Sequence, residues 1–421
     1  MKKFTCSFIL GFFLVVLITG QSRVLVLNEG VFDYTNNQIL IPPSVGAYHL
    51  TGKEYKPLVD IPQARFASDI KIHEGSYWVA ADQKVLRYNL LTNAVQSNLP
   101  VEGVRKIDFW GNYMIVTRGE YEKALNAYVQ IYDKNNLGLV FEIPASEMPY
   151  TAESIILRDD HAFIAVNNGF EFGKEVGKIL DIDLQKLRWV NTIDLGSEGK
   201  NPENLMIKND VLYSLNNRDY TGSSLSKINL GSVQVQTERL PQVSSLCATS
   251  TLIESAVIYQ ESGKTGLGKY DIATENAGPF LDLGKQFYGL SFDDRSKLIY
   301  AAETDFTSFG KVFVFDQNFN QLDEFEASIT PGYFAFDYSI TGTEKEQKAY
   351  DLHLTPNPAR DFVSLPEVLK ADQIVMVDLM GKSVYPEFYK SKINLSGIPA
   401  GIYVIKIISE GKLFQSTFQK I

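Results

Sequence analysis

Residues 151–195, which read TAESIILRDDHAFIAVNNGFEFGKEVGKILDIDLQKLRWVNTIDL, contain four short apolar runs separated by polar turns. The runs are residues 155–157, 161–166, 178–182 and 188–193. They lack the 3.6-residue spacing of a helix, and their length is typical of strands. The stretch therefore predicts a four-stranded antiparallel unit. Such a unit cannot bury both of its faces alone, so it needs copies of itself.

The innermost run of this unit recurs at a spacing of roughly 37 to 50 residues, which is in the range of propeller blades. Seven runs occupy this position, namely residues 70–72, 107–109, 155–157, 205–207, 246–248, 290–292 and 334–336. The blades predicted from them are about residues 23–62, 66–100, 104–145, 150–196, 201–240, 242–284 and 287–330.

The two ends of this repeat array are incomplete. The first unit, which begins at Arg23, has no innermost run before it, and residues 334–336 have no outer strands after them. Propellers and barrels avoid open sheet edges by closing on themselves. We therefore predict an all-β fold in which residues 21–340 form a seven-bladed β-propeller, with the C-terminal strand completing the N-terminal blade.

The composition and charge of the chain exclude some classes of function. The chain has 421 residues, of which 45% are apolar and 12% aromatic, so it can bury a large core in more than one domain. Its formal net charge is −10, and it has no basic run. An acidic chain of this kind is not expected to bind nucleic acid or anionic membranes.

Residues 1–20 have the composition of a secretory signal peptide. Lys2 and Lys3 precede an apolar run at residues 4–18, and Gly20 follows it. That run of about 15 residues is shorter than the roughly 20 that a spanning helix needs, which favours a cleaved leader over an anchor. We expect export through the periplasm and no membrane span in the mature protein.

The segment Val24-Leu25-Val26-Leu27-Asn28-Glu29-Gly30 resembles the opening of the YncE-like group of bacterial exported seven-bladed propellers. The resemblance covers roughly residues 23–338. One branch of that family is a cell-surface cobalamin-binding protein serving an outer-membrane transporter, and other branches have no assigned activity. The resemblance implies capture of a nutrient or cofactor such as a corrinoid, with an outer-membrane transporter as one partner.

Two sets of loops share one face of a propeller, here called the mouth: the loops that enter the innermost strands and those between the second and third strands. In this chain they gather amides, guanidinium groups, carboxylates and rings, which is the make-up of a polar ligand or partner site. The predicted binding residues are Asn28, Glu29, Phe32, Arg65, Arg105, Arg118, Tyr121, Glu153, Asn167, Asn168, Phe170, Glu203, Asn204, Asn217, Arg218, Tyr220, Tyr288 and Asp305.

Turn chemistry alone would also place Asn, Asp and Gly in these loops, but it does not require repeated Phe and Tyr. Phe66, Lys106, Tyr150 and Tyr333 belong to the same loops. The loops of blades four and five are the densest, so we expect ligand contacts on that side.

Glu153 and Glu203 occupy equivalent places in neighbouring blades, so they could share a hard cation or act as an acid and base pair. No His lies beside them in sequence, and isolated acids are common on loops. The four His residues show no metal-ligand spacing. We therefore expect a non-enzymatic binding module without a metal or cofactor, and a lyase or lactonase using central carboxylates is the alternative.

Residues 350–421 follow a charged linker, residues 341–349, and no longer show the repeat. Their apolar runs predict a small Ig-like β-sandwich, at residues 352–354, 362–365, 374–377, 383–385, 393–395, 402–408 and 414–418.

This segment resembles the type IX secretion sorting domain of Bacteroidota in its motifs Thr355-Pro356-Asn357-Pro358-Ala359, Asp378-Leu379-Met380-Gly381-Lys382, Ile393-Asn394-Leu395, Gly401-Ile402-Tyr403-Val404 and Gln419-Lys420-Ile421. The resemblance implies contact with the type IX secretion machinery, passage across the outer membrane, and release or attachment at the cell surface. The alternative is an adhesive sandwich retained in the mature protein.

Overall fold

The four-strand unit predicted from residues 151–195 is repeated in the computed structural model of the chain. The structure describes residues 23–121, 123–240, 249–338, 350–352, 354–366, 373–378, 383–384, 386, 388–389, 391–409 and 412–421. The predicted leader, the predicted linker and the innermost run predicted at residues 246–248 lie outside them. The described residues belong to two compact units, one within residues 21–339 and one from residue 340 onward.

Blade one contains three strands from the start of the chain and a hairpin inserted between the first two: β1 (Arg23–Asn28), the hairpin β2 (Val31–Asp33) and β3 (Gln38–Ile41), β4 (Ser44–His49) and β5 (Glu54–Asp60). Blades two to four are four-stranded antiparallel sheets of β6 (Asp69–His73), β7 (Ser76–Ala81), β8 (Lys84–Asn89), β9 (Val95–Pro100), β10 (Val104–Trp110), β11 (Tyr113–Arg118), β12 (Ala127–Asp133), β13 (Leu139–Pro144), β14 (Ala152–Arg158), β15 (His161–Val166), β16 (Lys178–Asp183) and β17 (Arg188–Asp194).

Blades five to seven continue the pattern, with a 3₁₀ turn at Ser197–Gly199 before them. Their strands are β18 (Pro202–Lys208), β19 (Val211–Asn216), β20 (Ser224–Asn229), β21 (Val235–Arg239), β22 (Ser250–Ile253), β23 (Ala256–Gln260), β24 (Gly266–Asp271), β25 (Asn276–Ala277), β26 (Leu281–Asp282), β27 (Phe287–Asp293), β28 (Leu298–Glu303), β29 (Phe309–Phe315) and β30 (Gln321–Ile329). In blade six the outer position is divided between β25 and β26, which both pair with β24.

The ring closes as predicted. The last propeller strand, β31 (Pro331–Asp337), pairs with β1 in the order β31-β1-β4-β5, with Val26 opposite Phe334. The side chains of Arg23 and Asp337, both buried, form an ion pair with 2.8 Å between Nε and Oδ2. Arg23 also donates to the carbonyl of Leu90 in blade two. The predicted seven blades and the predicted closure are therefore confirmed.

Apolar cores lie between neighbouring blades. The second strand of a blade is covered by a sheet on each side, so β1 and β7 are buried at every position. Outer strands such as β9 face solvent and alternate in exposure. Trp78 of blade two packs with Met114 of blade three in one such core. The packing that holds the ring together thus lies between the faces of neighbouring blades.

The C-terminal unit contains two small sheets around its own apolar core. Their strands are β32 (Tyr350–Asp351), β33 (Phe362–Ser364), β34 (Gln373–Asp378), β35 (Ser383–Val384), β36 (Phe388–Tyr389), β37 (Lys392–Asn394), β38 (Gly401–Ser409) and β39 (Lys412–Lys420). The first strand ends before the predicted run at residues 352–354, and Leu352 and Leu354 belong to the apolar core of this unit. Within the described parts of the chain, no helix has the length and apolarity needed to cross a membrane.

Candidate functional site

The innermost strands surround an axial cavity of about 530 Å³. Each of β6, β10, β14, β18, β22, β27 and β31 contributes to its wall. The volume lies in the range of about 300–1,000 Å³ that is usual for small-molecule sites. Its wall includes Lys106 and Tyr333, which stand near the mouth, where entry loops from different blades meet.

Arg105 lies at the centre of the mouth, near the start of β10. Its guanidinium binds both carboxylate oxygens of Glu153, with distances of 2.9 Å from Nε to Oε2 and 3.2 Å from Nη2 to Oε1. The rings of Phe66 and Phe170 lie 5.8 Å and 5.4 Å from the guanidinium carbon. A fork of this kind fixes the orientation of a carboxylate, and the rings hold the cation in place.

Lys106 is a second cation beside the pair of Arg105 and Glu153. Its Nζ donates to the carbonyl of Ser68 at 2.6 Å, lies 3.8 Å from Oε1 of Glu153, and is 4.0 Å from the ring centre of Tyr333. Burial lowers the pKa of Lys106, although Glu153 opposes that change. Burial alone would raise the pKa of Glu153, but Arg105 and Lys106 lower it below its usual value. Glu153 is therefore held ionised.

Two further carboxylates of the mouth have raised pKa values, in contrast to Glu153. Burial, followed by the nearby charge of Glu153, raises the pKa of Glu203 to about 8. Burial raises the pKa of Glu29 to about 7, even though the hydroxyl of Tyr288 donates to its Oε1 at 2.7 Å. Within the described residues neither Glu29 nor Glu203 forms a salt bridge. Glu203 and Glu153 are thus neighbouring carboxylates with different protonation.

Arg65 forms a second charged group at the entry to blade two. Its Nη2 lies 2.5 Å from Oδ1 of Asp82 and 2.6 Å from Oε2 of Glu120, and its guanidinium carbon is 5.3 Å from the ring centre of Phe66. Both acids are largely buried, so this arginine is fixed from two sides. Phe66 therefore connects the two arginines of the mouth.

The rim of the mouth carries exposed aromatic rings. Among the described propeller residues, the aromatic side chains that are largely exposed are Tyr34, Tyr121, Phe172, Phe306 and Phe309. All five lie in or beside loops between second and third strands, so they share the mouth face. Large exposed rings on one face mark a contact surface more often than scattered apolar residues do.

The structure brings together seven of the predicted residues. Around the axis are Glu29, Arg105, Glu153, Phe170, Glu203 and Tyr288, and Arg65 is joined to them through Phe66. With Phe66, Lys106 and Tyr333 they form what we call the mouth cluster. Six of the seven blades contribute to it.

Several other predicted residues are occupied in holding their own loops. Asn28 is buried and donates to the carbonyl of Ser44 and the hydroxyl of Tyr55. Arg118 is buried and donates to the carbonyls of Glu102 and Ala127. Their sequence positions indicate the mouth, but their side chains turn back into the blades.

Most of the loop amides show the same behaviour, although the side chain of Asn167 also hydrogen-bonds Glu203 of the mouth cluster. Oδ1 of Asn167 accepts hydrogen bonds from Thr151 Oγ1 and the Gly169 amide. The other predicted residues of these loops also form local hydrogen bonds. Asn168 donates to the Lys174 carbonyl, and Asn217 accepts a hydrogen bond from Ser223. Asp305 accepts hydrogen bonds from the amides of Thr307 and Ser308. These are the turn contacts that Asn and Asp favour.

The rest of the predicted set lies at the edges of the site. Arg218 is 3.4 Å from Glu198, which Arg239 also binds, and the Tyr220 hydroxyl donates to the Gly169 carbonyl at 2.7 Å. The other three are dispersed: Asn204 lines the axial cavity, Phe32 packs on Tyr34, and Tyr121 is exposed. A binding role for any of these residues stays a prediction.

The sequence-based prediction omitted charged residues inside the axial cavity. Lys71 and Asp108 each stand in the middle of an innermost run, and both line the cavity with Asp69. The charge of Asp69 raises the pKa of Lys71, and burial raises that of Asp108. The sequence pattern that could have indicated these cavity residues is a charged residue between two apolar residues of an innermost strand. No group of three or more possible metal ligands occurs among the residues described here.

The fold is shared with solved structures at low sequence identity. The extracellular domain of a proposed one-component system from B. thetaiotaomicron is 13% identical, with a TM-score of 0.50 over 94% of this chain and 57% of that one. A chain of the mitotic checkpoint complex is 14% identical, with a TM-score of 0.50 over 64% of this chain and 80% of its own. These likenesses show the propeller fold alone. No curated protein matches the sequence.

The C-terminal unit matches a family model. Residues 353–421 match the secretion system C-terminal sorting domain. This match covers the segment whose motifs and strands were described above, and a C-terminal domain of this kind implies delivery to the outer surface or the medium. The chain is therefore a seven-bladed β-propeller followed by a type IX secretion C-terminal sorting domain.

Proposed function

We propose that the propeller is a non-catalytic binding module that takes a small polar ligand at the mouth, and that the sorting domain delivers it to the cell surface or the medium. One observation carries this proposal: charged groups and rings from six blades converge in the mouth cluster, and two of its members, Lys106 and Tyr333, also line the axial cavity. They provide oriented hydrogen bonds and flat contact area in one concave place.

The energetics favour a functional origin for the mouth cluster. Removing charges from water is costly, and replacing a buried ion pair by apolar residues is often neutral or stabilising. The ring already has large apolar cores between its blades, and these contain no member of the charged pairs at the mouth. Perturbed carboxylates beside a cavity are also typical of functional sites. The mouth cluster is thus better explained by a ligand than by stability.

The proposal is tested by ligand screening of the full mature chain. Thermal shift followed by calorimetry would use amines, neutral sugars, sugar acids and a corrinoid, the last because of the resemblance to the YncE-like group. A binder should lose affinity about five- to a hundredfold in Phe170→Leu or Glu203→Gln, since removing one contact from a filled site costs about 1 to 3 kcal/mol.

Two variants on the opposite face serve as controls, Asp159→Asn and Lys186→Ala. Both residues lie in turns at the far ends of blade four, and Lys186 binds Asp183 locally. They should leave binding unchanged. Equal losses from these controls would show that the mouth is not the site.

A second candidate function rests on Glu153 and Glu203. Their pKa values move in opposite directions, as expected of a base and an acid in one site, which would suit a lyase or lactonase. Against this, both oxygens of Glu153 are already bound by Arg105. Turnover of sugar lactones or uronides that disappears in the double variant Glu153→Gln and Glu203→Gln would establish the enzyme.

A further inference from the structure

Two arginines and two phenylalanines alternate at the mouth, and we call these four residues the Arg–Phe ladder. The guanidinium carbon of Arg65 lies 5.3 Å from the ring centre of Phe66. That of Arg105 lies 5.8 Å from the ring centre of Phe66 and 5.4 Å from that of Phe170. Carboxylates fix both guanidinium groups, and the guanidinium groups pack on the rings, so the members of the ladder are held in place.

The loops of blades three, four and five join this ladder to two exposed rings. The Phe170 ring covers Gly119, where an added methyl group would lie only 2.6 Å from the ring. Tyr121, two residues after Gly119, is 52% exposed. Phe172, two residues after Phe170, is 69% exposed and packs on Tyr220 with 5.3 Å between the ring centres. Two solvent-exposed rings on loops of different blades therefore lie beside the ladder.

The charges around the ladder are balanced. Three cations and three carboxylates are joined in ion pairs: Arg65 with Asp82 and Glu120, Arg105 with Glu153, and Lys106 with Glu153 at 3.8 Å. Glu29 and Glu203, the other acids of the mouth cluster, have pKa values of about 7 and about 8, so both are largely uncharged at pH 6. A charged ligand group would add a net charge to this largely buried set, which costs free energy.

The axial cavity has the same balance. Lys71 and Lys106 line its wall together with Asp69 and Asp108. The other polar side chains of the wall belong to serines, threonines, one asparagine and one tyrosine. A ligand group in this cavity would therefore meet hydroxyl groups and no excess of either charge.

Hydroxyl groups suit such a surface better than ions do. A hydroxyl both donates and accepts hydrogen bonds, so it can bind a carboxylate and a guanidinium group together without separating them. Within the described residues, Nη1 of Arg65 and Nη1 of Arg105 form no hydrogen bond, whereas their other side-chain nitrogens bind carboxylates. The carbon-bound hydrogens on the face of a sugar ring pack on flat aromatic side chains. A sugar offers both kinds of contact.

We propose, building on the binding function proposed above, that the mouth recognises an uncharged oligosaccharide, whose hydroxyls bind the Arg–Phe ladder and its carboxylates and whose sugar rings pack on Tyr121 and Phe172. Two exposed rings on different loops suit a ligand with several sugar units, because each ring covers one unit. The balanced charges then disfavour sugars that carry a net charge.

The test is calorimetry of the full mature chain at pH 6 with the neutral hexasaccharides of cellulose, xylan, mannan, starch and N-acetylated chitin. Hexagalacturonate and the deacetylated chitin hexamer are the charged counterparts. We expect at least one neutral hexasaccharide to bind, and its monosaccharide and both charged hexamers to bind at least about tenfold more weakly. Its affinity should be nearly the same at low and high salt, because the ligand is uncharged. If no neutral hexasaccharide binds, the inference is wrong.

Phe172→Ala and Tyr121→Ala test the two exposed rings. Both side chains face solvent, so their removal should leave the fold intact and weaken binding of the hexasaccharide about five- to tenfold each. Leu139→Ala is the matched control, because Leu139 is 48% exposed but lies on the outer strand β13. It should bind as the unchanged protein does. Equal affinities in all three variants would contradict the role of the rings.

Glu120→Gln tests the balance of charge. The variant keeps the shape of the side chain and leaves Arg65 with Asp82 as its one carboxylate, so the ladder gains a net positive charge. Hexagalacturonate should then bind about tenfold more tightly than it binds the unchanged protein. Glu171→Gln is the matched control, since Glu171 lies in the same mouth face but pairs with Lys174 at the surface, and it should have no such effect. If Glu120→Gln has none either, the paired charges do not select the ligand and the inference fails.

The outcomes separate this inference from the proposed function. If an amine, a sugar acid or a corrinoid binds in a manner that depends on Phe170 and Glu203 while every neutral hexasaccharide fails, the oligosaccharide is wrong and the binding module stands. If a neutral hexasaccharide binds but depends on none of Tyr121, Phe170 and Phe172, the mouth is not the site and both proposals fall. Both also fall if no ligand of either screen binds.

Discussion

Arg23→Met should destabilise the propeller by about 3 to 5 kcal/mol. Arg23 and Asp337 are both buried, and their 2.8 Å contact joins the first strand of the ring to the last. Removing one partner of a buried ion pair leaves the other charge in a medium that cannot solvate it, which accounts for the magnitude. The lost hydrogen bond to the Leu90 carbonyl adds to the effect.

The assay is denaturant unfolding of the full chain, followed by the fluorescence of its tryptophans. Arg239→Met is the matched control, because Arg239 also binds a carboxylate with two nitrogens, at 2.6 Å and 2.8 Å from Glu198, but at the surface. Exposed pairs contribute about 0 to 1 kcal/mol.

Two results would refute the reasoning about closure. A loss below about 1 kcal/mol in Arg23→Met, equal to that of Arg239→Met, would mean that the pair does not hold the ring. The double variant Arg23→Met with Asp337→Leu should recover most of the loss, since no charge then remains buried. If the double variant were as unstable as Arg23→Met, the loss of stability would come from altered packing and not from the unpaired charge.

Three further predictions concern delivery, the site and pH. Deleting residues 350–421 should trap the protein in the periplasm, and fractionation showing the truncated form at the surface or in the medium would contradict the sorting role. In Gly119→Ala the new methyl would lie 2.6 Å from the Phe170 ring, so the ring must leave Arg105 and binding at the mouth should weaken severalfold, with calorimetry as the readout. Folding raises the pKa of Glu203 from 4.5 to about 8, so the folded state binds the extra proton, and stability should fall as the pH rises across that window. Unfolding at pH 5 to 9 should show a weaker decline in Glu203→Gln.

The fold could be predicted because it depends on repetition. Apolar runs such as residues 155–157 recur at blade spacing, and the incomplete ends at Arg23 and residues 334–336 determine how the ring closes. Blade six is the least regular blade, because its outer position is divided between two short strands. In blade six the predicted innermost run at residues 246–248 lies outside the described residues, and the described strand begins at Ser250.

The candidate site was only partly predictable, because loop position gives the face of a residue and not its partner. Arg105 and Arg118 both lie in mouth segments of blade three. The first reaches Glu153 across the blade boundary, whereas the second turns inward to backbone carbonyls. Nothing in the local sequence separates them, since the difference depends on which acceptors the neighbouring blade provides. Lys71 and Asp108 differ in this respect, because each stands between two apolar residues of an innermost strand, and that pattern can be read from the sequence alone.

Closure by β31 has a consequence for the order of folding during synthesis and export. The pairing of Arg23 with Asp337 joins residues 314 positions apart, so the ring has very non-local contacts and cannot be completed until nearly the whole propeller has emerged. Until then β1, apolar along most of its length, presents an open edge of the kind that recruits other strands. Any chain that stops before β31 is therefore a substrate for chaperones and proteases rather than a shorter version of the protein.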